Sequence, residues 1–283
     1  MILLDGRALS VRMRENFKRV SGELEDRGIK PCLAVILVGN DAASETYVGA
    51  KARACEECGI KSLVYKLDAA TTTTELLALI QTLNHDDSVD GILVQLPLPR
   101  QIHKNLILES IASSKDVDGF HPINVGYLNL GLESGFLPCT PSGVMRLLRA
   151  YDLRLEGMDA VVVGASNIVG RPMATMLLNA GVSVSVCHKK TRDLRAHTRR
   201  ADLIVMAAGQ VNLLTADMVK EGVIVVDVGI NRVGGRIVGD VDFEGLCKKA
   251  SHISPVPGGV GPMTIAMLLE NTLKSAKNRT TYS

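Results

Sequence analysis

Four polar side chains of this 283-residue chain could do chemistry together: Tyr47, Lys51, Gln95 and Asp118. Tyr47 and Lys51 are four residues apart, so a helix carrying them stacks both on one face. A free lysine titrates near ~10.4 and is a poor base at neutral pH. Burial or a neighbouring cation lowers that value and makes the amine a usable proton carrier. Gln95 closes the apolar half of GILVQLPLP, Gly91–Pro99. A polar amide fixed at the carboxyl end of a buried strand sits where open α/β sheets bind ligands. Asp118 follows Asp116 in a loop further on. Each feature has a plainer alternative. A strand-end glutamine can cap a turn, and Tyr-x-x-x-Lys is common on solvated helix faces. Convergence on one crevice is what would make them a site.

The elements around them permit that convergence. Residues 91–96 are short, apolar and β-branched, as in a buried strand. Pro97 and Pro99 cannot donate ladder hydrogen bonds, so the strand must stop there. Apolar runs predict strands at Cys32–Val38 and Ser62–Leu67, and the spacing predicts helices over Ser44–Cys58, Thr73–Leu83 and Asn105–Ala112. The first 28 residues carry helix-type spacing ending at Gly28. This alternation is that of a parallel sheet with crossover helices. Ligands of such sheets collect at the carboxyl ends of strands. The helix of Tyr47 and Lys51 begins just after one such end, and Gln95 sits at another. Residues 113–142 are rich in Asp, Gly, Pro and Asn and read as ordered loop.

A second βα series follows a helix over Pro141–Tyr151, with strands expected at Asp159–Gly164, Val182–His188, Asp202–Ala207 and Val223–Val228. A short hairpin is expected around Gly234-Gly235, and a last helix over Pro262–Lys277. The segment VVVGASNIVGRP has the form strand, glycine turn, helix. Gly164 permits the tight turn, Gly170 lets the helix approach the strand, and Pro172 suits a first helical turn. Free N–H groups there, with the helix dipole, would hold a pyrophosphate. Ser166 replaces the middle glycine of the usual fingerprint and Gly170 falls one residue late, so an ordinary tight turn also fits. About twenty residues on, an NAD site places an acid for the ribose hydroxyls. Here stand His188, Lys189 and Lys190, which attract a 2′-phosphate and favour NADP, or else form a solvated basic loop.

Composition excludes other classes. The chain is 46% hydrophobic but 3% aromatic, with no Trp, which suits an aliphatic parallel-sheet core. A formal charge of +2 gives no sign of a nucleic-acid or membrane surface. The start meets Asp5 too soon for a signal peptide, and no apolar run of about 18 residues occurs. A cytoplasmic protein is expected. Cys55 and Cys58 form a C-x-x-C late in a helix, where no N-terminal dipole depresses a thiol pKa. No second pair completes a zinc site, so reduced thiols and no metal are expected.

The motifs together resemble the bifunctional methylenetetrahydrofolate dehydrogenase/methenyltetrahydrofolate cyclohydrolase family over nearly the whole chain. They are YVGAK at 47–51, DGILVQLPLP at 90–99, KDVDGFHPINVG at 115–126, PCTPSGV at 138–144, VVVGASNIVGRPM at 161–173, VDVGINR at 226–232 and PVPGGVGPMT at 255–264. The resemblance implies a two-domain α/β protein. Residues 1–140, completed by a helix over 262–283, would form an α/β folate-binding catalytic domain. Residues 141–261 would form a Rossmann-like NADP-binding domain, with the folate in the cleft between. It implies that Lys51 carries the proton chemistry, Tyr47 positions substrate, Gln95 orients Lys51 and Asp118 binds the pterin. Val94, Leu96, Pro257, Gly258, Gly259 and Val260 would line the folate. Gly164, Ala165, Ser166, Ile168, Val169, Gly170, His188, Lys189, Lys190 and Ile230 would contact NADP. Many members carry Arg where this chain has Ala165, so the 2′-phosphate would lean more on Lys189 and Lys190. A homodimer through the second domain is also implied. A dehydrogenase-only member, or another NADP-dependent dehydrogenase of a small substrate such as a shikimate-type enzyme, is the alternative.

Neutralising Lys189 and Lys190 together is expected to raise the KM for NADP about tenfold or more and to leave NAD use nearly unchanged, since each charge-assisted bond contributes about 1.5–3 kcal/mol. Equal effects on both cofactors in steady-state kinetics would refute the phosphate contact.

Overall fold

The computed structural model describes residues 1–279, beginning with strand β1, Ile2–Leu3, and helix α1, Gly6–Glu25. Strand β2, Cys32–Val38, is buried at every residue, as its unbroken apolar sequence requires. Helix α2, Ala42–Glu57, strand β3, Lys61–Leu67, and helix α3, Thr73–His85, follow. A capping box starts α3: Glu75 N–H donates to Thr72 Oγ1, and the Glu75 carboxylate accepts from Thr72 N–H. Strand β4, Gly91–Val94, leads to helix α4, Lys104–Ser110. The loop expected over 113–142 contains helix α5, Pro122–Asn129, which His121 caps and Pro122 opens. Turn-rich composition hid it, because its eight residues carry no clear apolar period.

Helix α6, Cys139–Ala150, precedes β5, Asp159–Val163, α7, Gly170–Asn179, β6, Ser183–Cys187, α8, Leu194–Thr198, and β7, Leu203–Met206. Strand β8, Ile224–Asp227, is followed by a hairpin of β9, Asn231–Val233, and β10, Arg236–Val238. Helix α9, Phe243–Leu246, strand β11, His252–Ile253, and helix α10, Val260–Arg279, complete the chain. The last four residues of the helix expected to 283 lie outside the described residues.

The chain divides into two units. One comprises Met1–Val11 and Pro138–Thr264, and the other Arg12–Leu137 and the chain from Ile265. The expected assignment of residues 1–140 to one domain therefore needs correction at its start. β1 is the edge strand of the sheet in the unit of Pro138–Thr264, with Ile2 opposite His252 and Leu3 opposite Ile253. Two residues show no alternation, so nothing in the pattern marks them as a strand.

The sheet of that unit has the order β1-β11-β8-β7-β5-β6 and is parallel throughout. From β5 the chain moves to β6 on one side and then to β7 on the other. The order thus reverses between β5 and β7, which makes a switch point at their carboxyl ends. The other unit has the parallel order β3-β2-β4, and the reversal falls between β2 and β4. Its core joins Leu76, Ile80 and Leu83 of α3 to Ala34, Ile36 and Ile92 of the sheet. Late in the chain, Ser275 Oγ donates to Asp90 O (2.6 Å) and Asn271 Nδ2 donates to Val117 O (2.8 Å), so α10 is stitched to the strand and loop of this unit.

The six cysteines are free thiols, and burial pushes Cys55 up to about 12 and Cys58 up to about 11, which keeps both inert. Among the described residues no helix is long and apolar enough to cross a membrane.

Asp90, 3% exposed, accepts from Cys32 N–H (2.8 Å) at the start of β4. Burial pushes its carboxyl up to about 6, although the Cys32 N–H and the nearby Arg279 charge lower it. An unfolded aspartate titrates near ~3.9, so the folded state alone holds this proton between about pH 4 and 6. The contribution of Asp90 to stability is then largest below that window and falls as pH rises through it. The stability gap between wild type and Asp90→Asn is expected to shrink by about 1–3 kcal/mol from pH 4.5 to 7 in denaturant titrations. A gap independent of pH would show that Asp90 titrates normally.

Candidate active site

Helix α2 starts where Asp41 accepts from Ser44 N–H (2.7 Å), just past the carboxyl end of β2. Val48, Ala54 and Cys55 bury one face of the helix. Tyr47 and Lys51 lie on the half-buried flank. Lys51 Nζ donates to Gln95 Oε1 at 2.9 Å. Gln95 is held at two further points: its N–H donates to Ile36 O of β2 (2.8 Å), and its Nε2 donates to Leu96 O (2.7 Å). The side-chain amide is thereby turned, with its oxygen toward the lysine. Strand β4 ends at Val94 rather than Leu96: Gln95 N–H makes the last bond to β2, and Pro97 has no N–H with which to continue the ladder. The lysine and glutamine expected to meet do so at the switch point between β2 and β4.

Asp118 is placed by the loop beside β4. Asp116 bridges to Ile92 in parallel, and Gly119 N–H closes a turn on Asp116 O (3.1 Å) with Asp118 inside it. The Asp116 carboxylate is buried and accepts from His121 N–H (2.7 Å) and Asn124 Nδ2 (2.8 Å). Burial pushes it up to about 6, and those donors pull it back. Asn271 Nδ2 reaches Val117 O, the residue before Asp118, and Leu137 O (3.0 Å). Asp116, Asn124 and Asn271 thus shape the loop, and the sequence reading gave none of them a part. Asn124 sits in the quoted KDVDGFHPINVG motif, which is a usable signal; Asn271 stands alone on a helix far along the chain.

In the unit of the six-stranded sheet, the turn after β5 is glycine-dependent. Gly164 has φ +128, and a Cβ there would overlap the Ala207 carbonyl. A Cβ on Gly170 would overlap the carbonyl of Gly164, so α7 approaches the turn as closely as backbone allows. Ala165, Ser166, Ile168 and Val169 form the turn. Ser166 Oγ accepts from Val169 N–H (3.2 Å) and Gly170 N–H (3.4 Å). Those N–H groups are therefore capped rather than free, which corrects the expectation; a hydroxyl can rotate and donate to a phosphate oxygen instead. Arg171, given no part by the sequence reading, places its Nε 3.4 Å from Ala165 O and sets a guanidinium on this turn. His188, Lys189 and Lys190 form a tight turn at the end of β6, where His188 N–H donates to Thr191 Oγ1 (2.9 Å) and His188 Nδ1 accepts from Lys190 N–H (3.2 Å). Both lysines are exposed. Ile230 is 49% exposed just past β8. Pro257 follows a cis bond, Gly258 has φ +113, and Gly259 and Val260 are buried where α10 begins.

The tetrahydrofolate dehydrogenase/cyclohydrolase catalytic-domain model matches residues 4–118, and the NAD(P)-binding-domain model of the same family matches residues 138–280. The chain belongs to the tetrahydrofolate dehydrogenase/cyclohydrolase family. The bifunctional protein FolD of Campylobacter jejuni (strain RM1221) is 75% identical over 280 residues, which cover 99% of each chain. The crystal structure of the bifunctional FolD enzyme from Campylobacter jejuni is 74% identical, with a TM-score of 0.97 and 99% of each chain covered. The dehydrogenase-cyclohydrolase of Trypanosoma brucei, complexed with NADP cofactor and an inhibitor, is 38% identical with a TM-score of 0.95, covering 99% of this chain and 98% of that one.

For a tetrahydrofolate dehydrogenase/cyclohydrolase, the neutrality of Gln95 is the informative part of the Lys51 pair. The amide fixes the direction of the amine without a counter-charge. A carboxylate at the same 2.9 Å would raise a lysine pKa by about 1–3 units. Gln95→Glu is therefore expected to move the pH profile of methenyltetrahydrofolate hydrolysis to higher pH by at least about one unit. An unmoved profile in an active variant would show that Lys51 ionisation does not govern the step.

Proposed function

We propose that the chain oxidises 5,10-methylenetetrahydrofolate to 5,10-methenyltetrahydrofolate with NADP and hydrolyses that product to 10-formyltetrahydrofolate, with Lys51 as the proton carrier of the second step. The observation that carries the reading is the Lys51–Gln95 hydrogen bond, an amine held by a neutral acceptor at a strand-order reversal.

NADP, when bound, supplies the hydride acceptor. Its pyrophosphate is assigned to the turn between Gly164 and Gly170, which the two glycines pack tightly against the Ala207 carbonyl and against each other, and which opens helix α7. Lys189 and Lys190, with Arg171 beside Ala165, are the cations for its 2′-phosphate, as the NADP complex of the Trypanosoma brucei relative supports for the cofactor itself. Hydride loss from the methylene bridge asks for no protein acid; it asks the chain to hold the two reacting carbons close and in line. Asp118 holds the pterin, Tyr47 packs against it, and Val94 and Leu96, at the end of the same sheet, line the folate beside them. The methenyl group is cationic, so its presence beside Lys51 favours the neutral amine. That amine takes a proton from the adding water and returns it as the ring opens.

The protein is further proposed to be a cytoplasmic homodimer paired through the unit of the six-stranded sheet. β6 is an edge strand of that sheet, with Val186 41% exposed, and Leu178 of α7 is 63% exposed.

Absorbance of methenyltetrahydrofolate follows both steps in one cuvette. Lys51→Met keeps apolar bulk and removes the amine. It is expected to lower hydrolysis about 10²–10⁴-fold and to lower dehydrogenation much less. Asp118→Asn weakens the contact both steps share and is expected to reduce both. Near-native hydrolysis by Lys51→Met at saturating substrate would remove Lys51 from the proton-carrier role.

A further inference from the structure

Two buried carboxylates stand apart from the residues proposed so far. Asp240 is fully buried. Its Oδ2 accepts from Ala208 N–H (2.7 Å) and Gly209 N–H (2.8 Å), and its Oδ1 accepts from Gln210 N–H (3.0 Å) and Asn231 Nδ2 (2.9 Å). Three consecutive backbone donors thus converge on one carboxylate, as on a bound anion. Asp227, 1% exposed, accepts from Asp240 N–H, Val241 N–H and Gly229 N–H, and so fixes the backbone that carries Asp240. The approach is close enough to dictate glycines: a Cβ on Gly229 would overlap Asp240, and one on Gly239 would overlap Asp227.

The segments held this way are those that leave the sheet beside the glycine turn. Residues 207–210 follow β7, across the switch point from Gly164, whose turn presses on the Ala207 carbonyl. Residues 228–231 follow β8 and include Ile230. Nothing in the Asp240 carboxylate needs to touch a ligand for it to set both walls.

We infer that Asp240, itself held by Asp227, is a positioning residue that gives the β7 and β8 loops their cofactor-binding shape. The inference rests on the proposal that this unit binds NADP. An aspartate suits the task because both its oxygens accept. In Asp240→Asn one of them becomes an NH₂ group facing N–H donors, and the loops must move.

The test compares cofactor affinity with cofactor-free hydrolysis in the full chain. NADPH binding is read by titration of its fluorescence, and methenyltetrahydrofolate hydrolysis is measured without cofactor. For Asp240→Asn, NADPH Kd and the KM for NADP are expected to rise at least tenfold, with hydrolysis within twofold of wild type. Asn231→Ala removes one donor and is expected to weaken NADPH binding several-fold in the same direction, which keeps the test open should Asp240→Asn fail to fold. NADPH affinity within twofold of wild type in a folded Asp240→Asn, or in Asn231→Ala, overturns the inference. So does a parallel fall of hydrolysis and binding, which would mark a purely structural role. Failure of the wild type to bind NADPH would instead overturn the cofactor reading on which it rests.

Discussion

Parallel pairing sends every strand of the six-stranded and of the three-stranded sheet to the same edge of its sheet. Each connection must then leave from that edge and return across a face, so polar residues on the departing loops gather where the sheet ends. β2 in one sheet and β5 in the other each have neighbours placed on opposite sides by successive crossovers, which opens a gap between departing chains. Lys51 and Gln95 occupy that position in one unit, and the Gly164 turn with the Ala207 carbonyl occupies it in the other. These groups sit at or just past rigid strand ends, and the loops beyond them are shaped separately.

That shaping is done by buried polar groups rather than by packing. Asp116, Asp227 and Asp240 are each at most 2% exposed, which would cost several kcal/mol for an unpaired charge. Each instead receives backbone or amide N–H donors, so the carboxylate replaces water as the partner of a loop that cannot form a ladder. Loops held in this way have a fixed path without regular structure. Asp116 gives such a path to the segment of Asp118, and Asp240 does the same for residues 208–210.

Much of this was legible in the residues. The run CLAVILV gave β2 to the residue, because continuous burial leaves a continuous apolar signature. A helix period and a proline stop placed Lys51 and Gln95 at neighbouring strand carboxyl ends, and the family resemblance made them partners. Short elements were not. β1 and β11 are two residues each, α5 lies in turn-like sequence, and α9 is four residues long, so none completes a period. Asn271 acts through a tertiary contact with Val117, and no local pattern encodes it. The cap that Ser166 places on Val169 and Gly170 was also invisible, since the sequence shows a hydroxyl but not its direction.

The pairing of β1 with β11 has a consequence for biosynthesis. Ile2 finds His252 only after nearly the whole chain has been made, and at about 5–20 residues per second the first strand waits roughly 10–50 seconds on the ribosome. The unit to which it belongs is interrupted by residues 12–137, so that intervening unit emerges first and has time to collapse around β2 before its sister sheet is complete. Contacts of such sequence separation are slow to form. During that interval β1 has no partner strand, so its backbone groups stay unpaired on the nascent chain, which is then more exposed to edge-to-edge association than after β11 arrives.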